Sequence, residues 1–538
     1  MHNYTLMKHS LLLTAFMSAT LANLAVAQQV TVARYLGDRT CAVSLTYDDG
    51  LMDDYTLIAP HMERYGLHGT FTINCAFLGD LDDHYSPRLT AQQVRELYDR
   101  GHEISNHSWS HPKLTRLSDA ELQTEIQRND SAIEAITGKR PQTFVYPYNA
   151  SDERVKAACG QGRVGIREYQ LGLGQFNSHA TAESIEQWLR QQIDGRLWGV
   201  TMTHGIYAGW DTWSEPWVLW DFYRTLGLKG DTIWTDTFAE VSKYVTERDA
   251  IQLQVEQKRG VITVTPSLDL DSVLFDHALT LRFVPDAKGA RPIKLADGSK
   301  VIAYRAMQDG HTLPLTLRDG ALLCDFNPYA GPITIEPLKA DPLQGRKVCI
   351  LGDSYVQNHR QSYENAWHCK VAARHGMTYR NYGRNGGAIA FDRTNRNFGK
   401  ALYVRYTEMD DDADYVIVVA GHNDAYFVTQ SADSLAAFRE HVEDLCAGLR
   451  QKYPTAKIAF VSPWNVAYPG FPVVMGIIRE ACQRHGFPYL DAAGTSGIRV
   501  EDEEFRRQYF QAVGDHAHLN PAGHDLLIGW GETFLMSL

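Results

Sequence analysis

The chain contains no internal repeat, no low-complexity tract and, after its first 27 residues, no long apolar run. A membrane-spanning helix needs about 20 apolar residues, so no later segment is predicted to span a membrane. None of the eight cysteines forms a Cys-x-x-Cys pair, which argues against a cysteine-ligated zinc site. Cys41 and Cys349 lie in apolar runs, and we expect most cysteines to be unpaired. Basic residues are outnumbered 52 to 64, and the net charge of −12 disfavours nucleic acid and anionic membranes as partners.

The first residues have the pattern of an export signal. Lys8 precedes an apolar stretch, Leu11 to Ala19, and Ala25-Val26-Ala27 is a small-x-small cleavage site. A short membrane anchor is the alternative, but polar residues interrupt this run before ~20 apolar residues accumulate. We therefore predict a signal peptide at 1–27 and an exported protein, periplasmic or secreted.

The pattern of apolar residues divides the remaining chain into three parts, as a length of 538 residues leads us to expect. Residues 28–249 alternate between buried strands and amphipathic helices, which predicts a parallel sheet, open or closed into a barrel. Residues 250–340 carry short alternating segments between turns, typical of a small β-sandwich linker. From 341 to 538 strands and helices alternate again and predict a doubly wound sheet. The predicted fold class is therefore α/β multidomain.

Two adjacent carboxylates and a pair of histidines form the first polar set. Asp48 and Asp49 follow a predicted strand, where one can bind a metal while the other stays free as a base. His107 and His111 are four residues apart, which puts both rings on one face if the segment is helical or tightly turned. Asp49 with both histidines makes a 2-His-1-carboxylate set that leaves positions open for water and a substrate carbonyl.

The C-terminal part holds the residue types of a serine hydrolase. Ser354, in Gly-Asp-Ser, follows a buried strand, so its N–H can face a developing oxyanion. Asp515 and His518 are three residues apart, and the acid can orient the imidazole that reaches the serine. Asn423 offers a side-chain N–H, and Gly386 a backbone N–H, to a tetrahedral intermediate. Each motif is common by chance, but this order and spacing are not.

With Tyr146-Pro147-Tyr148 and Met202-Thr203-His204, the first set resembles the polysaccharide deacetylase family over about residues 40–248. The resemblance implies a distorted (β/α) barrel in which Asp48 is the general base and His204 the general acid. It implies that Tyr148 lines the substrate groove and offers its backbone N–H to the oxyanion. It also implies a divalent metal, with zinc expected, on three ligands: Asp49, His107 and His111.

The chain departs from that family in its later motifs. Val145 stands where the family often carries an arginine that holds the base aspartate. Asn149 replaces the usual glycine, Met202 replaces a leucine, and the acidic fourth motif has no assigned position. A first domain that binds glycan without turnover therefore stays open as an alternative.

The segment from about 346 to 538 resembles the SGNH hydrolase family. Its four blocks correspond to Ser354, Gly386, Asn423 and His518, the last together with Asp515. The resemblance implies a flavodoxin-like α/β/α fold that needs no cofactor. His516 and His524 are competing imidazoles, and we interpret both as structural.

Two unrelated acyl-cleaving sets on one chain predict a bifunctional carbohydrate esterase that acts on one acetylated polysaccharide or oligosaccharide. A xylan-type plant glycan is the favoured substrate, with N-acetylated glycans second for the first domain. An SGNH lipase or lysophospholipase with a non-catalytic, glycan-binding first domain is the alternative. Six tryptophans lie near His204, and we expect at least half of them in the core and one or two on the glycan: Trp198, Trp210, Trp213, Trp217, Trp220 and Trp234.

Overall fold

The computed structural model describes residues 30–81, 86–176, 178–285, 290–394, 397–464, 466 and 468–538. The predicted signal peptide at 1–27 lies outside these residues. Within them, no helix combines the length and the apolar character needed to cross a bilayer. All eight cysteines are described and none forms a disulfide, so the expectation that most are unpaired is confirmed.

The N-terminal part contains a parallel sheet of eight strands, with spatial order β6-β5-β4-β3-β2-β8-β7 and β9 also paired with β2. Among the described residues no ladder joins β6 to β7, so the sheet is a half-barrel, which is consistent with the predicted deacetylase barrel. Strand β2 is buried along its whole length, as expected when helices cover both faces. The strands of this part, preceded by β1, are β1 (Val30–Val32), β2 (Cys41–Tyr47), β3 (Thr70–Ile73), β4 (Glu103–Asn106), β5 (Thr143–Val145), β6 (Gly165–Arg167), β7 (Leu171–Gly172), β8 (Trp198–Thr203) and β9 (Ile233–Thr235).

Helices fill the connections of this sheet. The helix Asp119–Thr137 has the caps that its sequence predicts: Ser118 and Glu121 form a capping box, and Gly138 ends the helix with φ 79°. A π-helical turn, Asp54–Ile58, leads into the first α-helix. The α-helices are Ala59–Glu63, Ala91–Asp99, Asp119–Thr137, Glu153–Gly160, Ala182–Gly195, Trp217–Leu228 and Phe238–Ala250.

The middle part contains two antiparallel sheets, with orders β1-β12-β18-β17 and β10-β11-β19-β15-β16, and a separate pair, β13-β14. Side chains from both large sheets share one hydrophobic cluster, and the predicted sandwich packing stays a prediction. Strand β1, which we assigned to 28–249, pairs with β12 of this part, Val30 opposite Phe283. The strands are β10 (Gln252–Lys258), β11 (Val261–Ser267), β12 (Leu279–Phe283), β13 (Ile293–Lys294), β14 (Lys300–Val301), β15 (Tyr304–Gln308), β16 (His311–Leu313), β17 (Thr316–Arg318), β18 (Ala321–Phe326) and β19 (Ile333–Pro337).

The C-terminal part is a five-stranded parallel sheet with order β21-β20-β22-β23-β24. This is the flavodoxin-like order. Strand β21 lies on one side of β20 and the later strands lie on the other, so the topological switch point is between β20 and β22. The strands are β20 (Lys347–Gly352), β21 (Thr378–Gly383), β22 (Tyr415–Val419), β23 (Lys457–Val461) and β24 (Tyr489–Leu490). The α-helices are Ser354–Gln357, Trp367–His375, Leu402–Arg405, Asp424–Val428, Ala432–Lys452, Phe471–His485, Ala492–Thr495, Glu503–Tyr509, Pro521–Leu526 and Ile528–Ser537.

One arginine of β17 contacts all three parts of the chain. Arg318 donates through Nη1 to the carbonyls of Gly37 at 3.1 Å and Gly494 at 3.4 Å, and through Nη2 to that of Asp231 at 2.6 Å. Nearby, Arg39 of the N-terminal part lies 3.7 Å from Asp491 of the C-terminal part. The middle part therefore ties the other two together at this point.

Candidate active sites

Asp48, directly after β2, is a buried carboxylate held by an arginine that the sequence motifs did not reveal. Arg167 Nη1 and Nη2 donate to its two oxygens at 2.7 and 2.6 Å, and the Thr72 hydroxyl donates at 3.1 Å. Burial alone would raise the pKa of Asp48, but the charge and hydrogen bonds of Arg167 outweigh burial and lower it. Arg167 lies on β6 directly beside Val145 of β5. The arginine that is missing at Val145 is therefore supplied from the neighbouring strand.

Asp49, His107 and His111 converge on one point. Their nearest ligand atoms lie within 4.8 Å of one another, and Asp49 Oδ1 is 3.7 Å from His107 Nε2 and 3.5 Å from His111 Nε2. His107 Nδ1 donates to the Val145 carbonyl at 2.8 Å, which leaves Nε2 free for a metal. Burial lowers the pKa of His107, and burial with the neighbouring His107 lowers that of His111 to about 4, so both imidazoles are kept neutral, the form that can bind a metal.

The turn that carries the two histidines is not helical. Ser108 and His111 have φ of 64° and 57°, so the tight-turn alternative is the one observed. Asp49 also has a left-handed φ of 78°. Such angles are costly for residues other than glycine and cluster at functional sites, where the surrounding fold imposes them.

His204, directly after β8, faces the same site from the opposite side. Its Nε2 lies 4.0 Å from Asp49 Oδ2, and its Nδ1 lies 2.5 Å from Asp211 Oδ2. Burial lowers the pKa of His204, but the bond with Asp211 and the charges of Asp48 and Asp49 outweigh burial and raise it. Asp53 Oδ2 accepts three consecutive backbone N–H groups, of residues 206–208, at 2.7–3.0 Å and holds the loop that joins His204 to Asp211.

Tyr148 does not lie in a strand. Strand β5 ends at Val145, and Tyr148 occupies a 3₁₀ turn with φ 60°. Its ring is 66% exposed, and the ring centroid is 4.6 Å from that of His111. The side chain therefore covers the metal-ligand cluster at the surface.

The six tryptophans divide as expected between core and surface. Trp213 and Trp234 are buried, Trp198 and Trp220 are partly buried, and Trp210 and Trp217 are 65% and 56% exposed. Trp210 precedes Asp211 in the loop after His204, and the exposed Tyr207 lies in the same loop. Flat aromatic surface is thus available beside the first site for contact with sugar rings.

Ser354, the first residue of the short helix that follows β20 and Asp353, lies at the end of a chain of hydrogen bonds. Its Oγ is 3.0 Å from His518 Nε2, and His518 Nδ1 is 3.0 Å from Asp515 Oδ2. Asp515 Oδ1 accepts the backbone N–H groups of Ala517 and His518, both at 2.9 Å. Burial alone would raise the pKa of Asp515, but the His518 bond and the two N–H groups outweigh it and lower the pKa to about 2. The orienting acid is therefore charged throughout the physiological range.

The two competing imidazoles, His516 and His524, do not bond to the Ser354 hydroxyl. His524 is buried, its Nε2 lies 3.2 Å from Asn358 Oδ1, and burial lowers its pKa to about 3. His516 is exposed next to Asp515. The geometry selects His518 as the imidazole that bonds to the serine.

Two backbone N–H groups at the serine have no acceptor in the part of the chain that the structure describes, namely those of Ser354 and Gly386. Asn423 Nδ2 donates to the Gly387 carbonyl at 2.9 Å and contacts Asp353 Oδ2 at 3.3 Å. Burial raises the pKa of Asp353 to about 7. The free N–H groups and the Asn423 amide are the donor set that an oxyanion needs.

Family profiles match the two parts that carry these sites. Residues 38–163 match the family described as polysaccharide deacetylase, and residues 350–526 match the GDSL-like lipase/acylhydrolase family. The first match includes Asp48, Asp49, His107, His111 and Tyr148. The second includes Ser354, Gly386, Asn423, Asp515 and His518.

Curated relatives are similar to parts of this chain. A gellan lyase from a Bacillus species is 24% identical over 358 residues, which is 58% of this chain and 13% of the lyase. The peptidoglycan-N-acetylmuramic acid deacetylase PdaC of Bacillus subtilis is 29% identical over 166 residues, 31% of this chain and 32% of PdaC. A chitin deacetylase of Arthroderma benhamiae is 24% identical over 168 residues, 31% of this chain and 43% of that enzyme. The chain thus spans less than half the length of each of these relatives.

Among solved structures, that of the Bacillus subtilis peptidoglycan deacetylase PdaC is 23% identical, with a TM-score of 0.31, and covers 39% of this chain and 94% of that one. The two family matches cover separate segments, in the order in which the two sites occur along the chain. The chain therefore carries a polysaccharide deacetylase domain, matched over residues 38–163, followed by a GDSL-like lipase/acylhydrolase domain, matched over residues 350–526.

Proposed function

We propose that this protein is an exported bifunctional carbohydrate esterase, whose two sites remove acetyl groups from one acetylated polysaccharide. The observation that carries the proposal is the presence of two complete and separate polar sets, Asp48 with a metal-ligand triad and Ser354 with a bonded histidine and aspartate. Each set has the groups that acyl transfer to water requires.

In the first site, a divalent ion on Asp49, His107 and His111, for which we infer zinc from the imidazole and carboxylate donors, would polarise the acyl oxygen and a water molecule. Asp48, whose charge Arg167 stabilises, would take a proton from the attacking water. The two Arg167 bonds fix the direction of the Asp48 lone pairs. His204, whose raised pKa favours its protonated form, would give a proton to the departing sugar oxygen or nitrogen, while Asp211 holds its ring.

In the second site, Ser354 Oγ attacks the acyl carbon as His518 Nε2 takes the hydroxyl proton. The N–H groups of Ser354 and Gly386 donate to the oxyanion. Asn423 Nδ2 adds a third donor when it gives up its 3.3 Å contact with Asp353 and turns to the oxyanion. The sugar oxygen then leaves with the proton from His518. Water cleaves the acyl-enzyme by the same route and releases acetate.

The favoured substrate is an acetylated plant glycan of the xylan type, because two esterases on one chain suit acetyl groups at positions that one site cannot reach. The names of two relatives, a peptidoglycan deacetylase and a chitin deacetylase, favour N-acetyl glycans as a second candidate for the first domain. Export from a signal peptide at 1–27 fits either polymer, since both lie outside the cytoplasm.

Acetate release from a panel of acetylated xylan, N-acetylated glycan oligomers and an aryl acetate tests the proposal. Four proteins are compared: the native chain, Ser354→Ala, His107→Ala and Asn423→Ala. We expect Ser354→Ala to abolish aryl-acetate turnover and leave chelator-sensitive acetate release intact. We expect His107→Ala to abolish the chelator-sensitive release and leave aryl-acetate turnover intact. Asn423→Ala should cost the serine site about 10²–10³-fold in turnover.

The outcomes separate the candidates. Release from xylan assigns an O-acetyl esterase, and release only from N-acetylated oligomers assigns an amide deacetylase. No metal-dependent release from any polymer assigns a glycan-binding first domain. Aryl-acetate turnover that survives Ser354→Ala and stops with a chelator would overturn the assignment of the serine.

A further inference from the structure

Arg393 lies in the loop after Gly386 and joins the two oxyanion donors that come from different elements. Its Nη1 donates to the Gly386 carbonyl at 2.6 Å and to Asn423 Oδ1 at 2.9 Å. A guanidinium Nη carries two hydrogens, so this one nitrogen is fully used by the two bonds.

The bond to Asn423 decides which way the amide faces. Asn423 Oδ1 accepts from Arg393, while Nδ2 faces the Gly387 carbonyl at 2.9 Å and the Asp353 carboxylate at 3.3 Å. A flipped amide would place its oxygen against two acceptors and its hydrogens against the guanidinium. Arg393 therefore keeps the N–H groups of Asn423 on the side of Asp353, which precedes Ser354.

Aromatic packing holds the guanidinium in this place. It lies 4.6 Å from the ring centroid of Phe398 and 5.7 Å from that of Phe427. Phe398 also packs on Gly386, where a Cβ would come within 2.5 Å of the ring, and Gly386 has φ 69°. The loop conformation that presents the Gly386 N–H is thus fixed by Phe398 and Arg393 together.

We propose that Arg393 is a positioning residue of the serine site, which fixes the Asn423 amide and the Gly386 loop as oxyanion donors. The proposal rests on the esterase function proposed above. Arg393 acts through Asn423 and Gly386, so its removal should slow acylation while substrate binding is largely kept.

The test compares Arg393→Met, Arg393→Lys, Asn423→Ala and the double variant in aryl-acetate hydrolysis. Arg439, which pairs with Glu480 on the surface of the same domain, provides a matched control as Arg439→Met. We expect Arg393→Met to lower kcat by about 10²-fold, as for loss of an oxyanion donor, with KM within about threefold. Arg393→Lys should lie between, because an ammonium can donate both bonds but is not a planar group that stacks on Phe398 and Phe427. Arg439→Met should match the native protein.

The double-variant comparison distinguishes positioning from simple packing. In the Asn423→Ala background, Arg393→Met should cost less than about 10-fold further, because its main target has gone. The proposal would be overturned if Arg393→Met lowered kcat by the same factor in the Asn423→Ala background as in the native protein. It would also be overturned if Arg393→Met left kcat unchanged. If Ser354→Ala itself keeps full activity, the esterase assignment fails instead. The thermal transition and circular dichroism spectrum of each variant identify one that has lost its fold.

Discussion

At the scale of single residues, Asp48 illustrates a buried charge that depends on one partner. The Arg167 and Asp48 side chains are 1% and 5% exposed, so each is almost cut off from water. A buried ion pair adds little net stability, but removal of one member leaves the other uncompensated, at a cost of about 3–5 kcal/mol. The pair therefore matters for both the fold and the base.

We predict that Arg167→Met lowers metal-dependent deacetylation by at least about 10²-fold, because the base loses its orientation and its low pKa. Metal content should be kept, since Arg167 bonds to Asp48 and Thr46 and, among the described residues, to none of Asp49, His107 and His111. The assay uses a Ser354→Ala background and the exposed Arg190→Met as control. Unchanged deacetylation would show that Asp48 does not need this partner.

Removal of a metal ligand should separate the two sites. We predict that His107→Ala loses about one divalent ion per chain, because a 2-His-1-carboxylate set cannot hold its ion with one imidazole. Metal analysis after dialysis measures this loss. Aryl-acetate turnover should stay within about twofold, since the serine site lies on another domain. Metal content equal to that of the native protein would contradict the ligand assignment.

The residues that sequence reasoning found and missed differ in how they reach the site. Motifs such as Asp48-Asp49 or His107 to His111 are local, and one element positions the whole group. Arg167 arrives through the pairing of β6 with β5, and a motif search that expects an arginine at Val145 cannot see that register. Asp211 follows His204 in a loop that depends on Asp53, a contact between distant segments.

At the scale of elements, the parallel strands and their helices were predictable because apolar periodicity is strong there. The residues at which elements end were less predictable. Strand β5 ends at Val145 because Pro147 and the left-handed backbone of Tyr148 turn the chain out of the sheet. The helix Phe238–Ala250 shows a different dependence, since its buried Glu247 accepts the backbone N–H of His277 with both oxygens, at 3.2 and 3.3 Å.

We predict that Glu247 makes stability depend on pH. Burial raises the pKa of Glu247 to about 8, above its ordinary 4.5. Folding favours the protonated form of Glu247. Its contribution to the free energy of unfolding is therefore complete below pH 4.5 and is lost as the pH rises through 8. Between pH 5 and pH 9 the thermal midpoint of the native protein should fall more than that of Glu247→Gln, by roughly 2–4 °C per kcal/mol. The exposed Glu134→Gln serves as control, and parallel pH profiles for all three proteins would contradict the prediction.

At the scale of the whole molecule, Arg318 joins the three parts through carbonyl groups of Gly37, Asp231 and Gly494. We predict that Arg318→Met broadens or splits the unfolding transition in calorimetry, because the domains lose a shared contact while each core stays intact. Activity at both sites should be unchanged at 25 °C. A single transition with the native midpoint would show that other contacts suffice. Arg380→Met, which removes a surface pair with Asp410, is the control.

Strand β1 makes the deacetylase domain an insertion within the middle domain. Because β1 pairs with β12, the nascent chain delivers one strand of this sheet before the deacetylase domain and the rest after it. The sheet can close only once the inserted domain has emerged, which makes it a slow, non-local step of folding. A shortened chain that begins after β1 would leave that edge of β12 unpaired, and such an edge is a template for association with other chains.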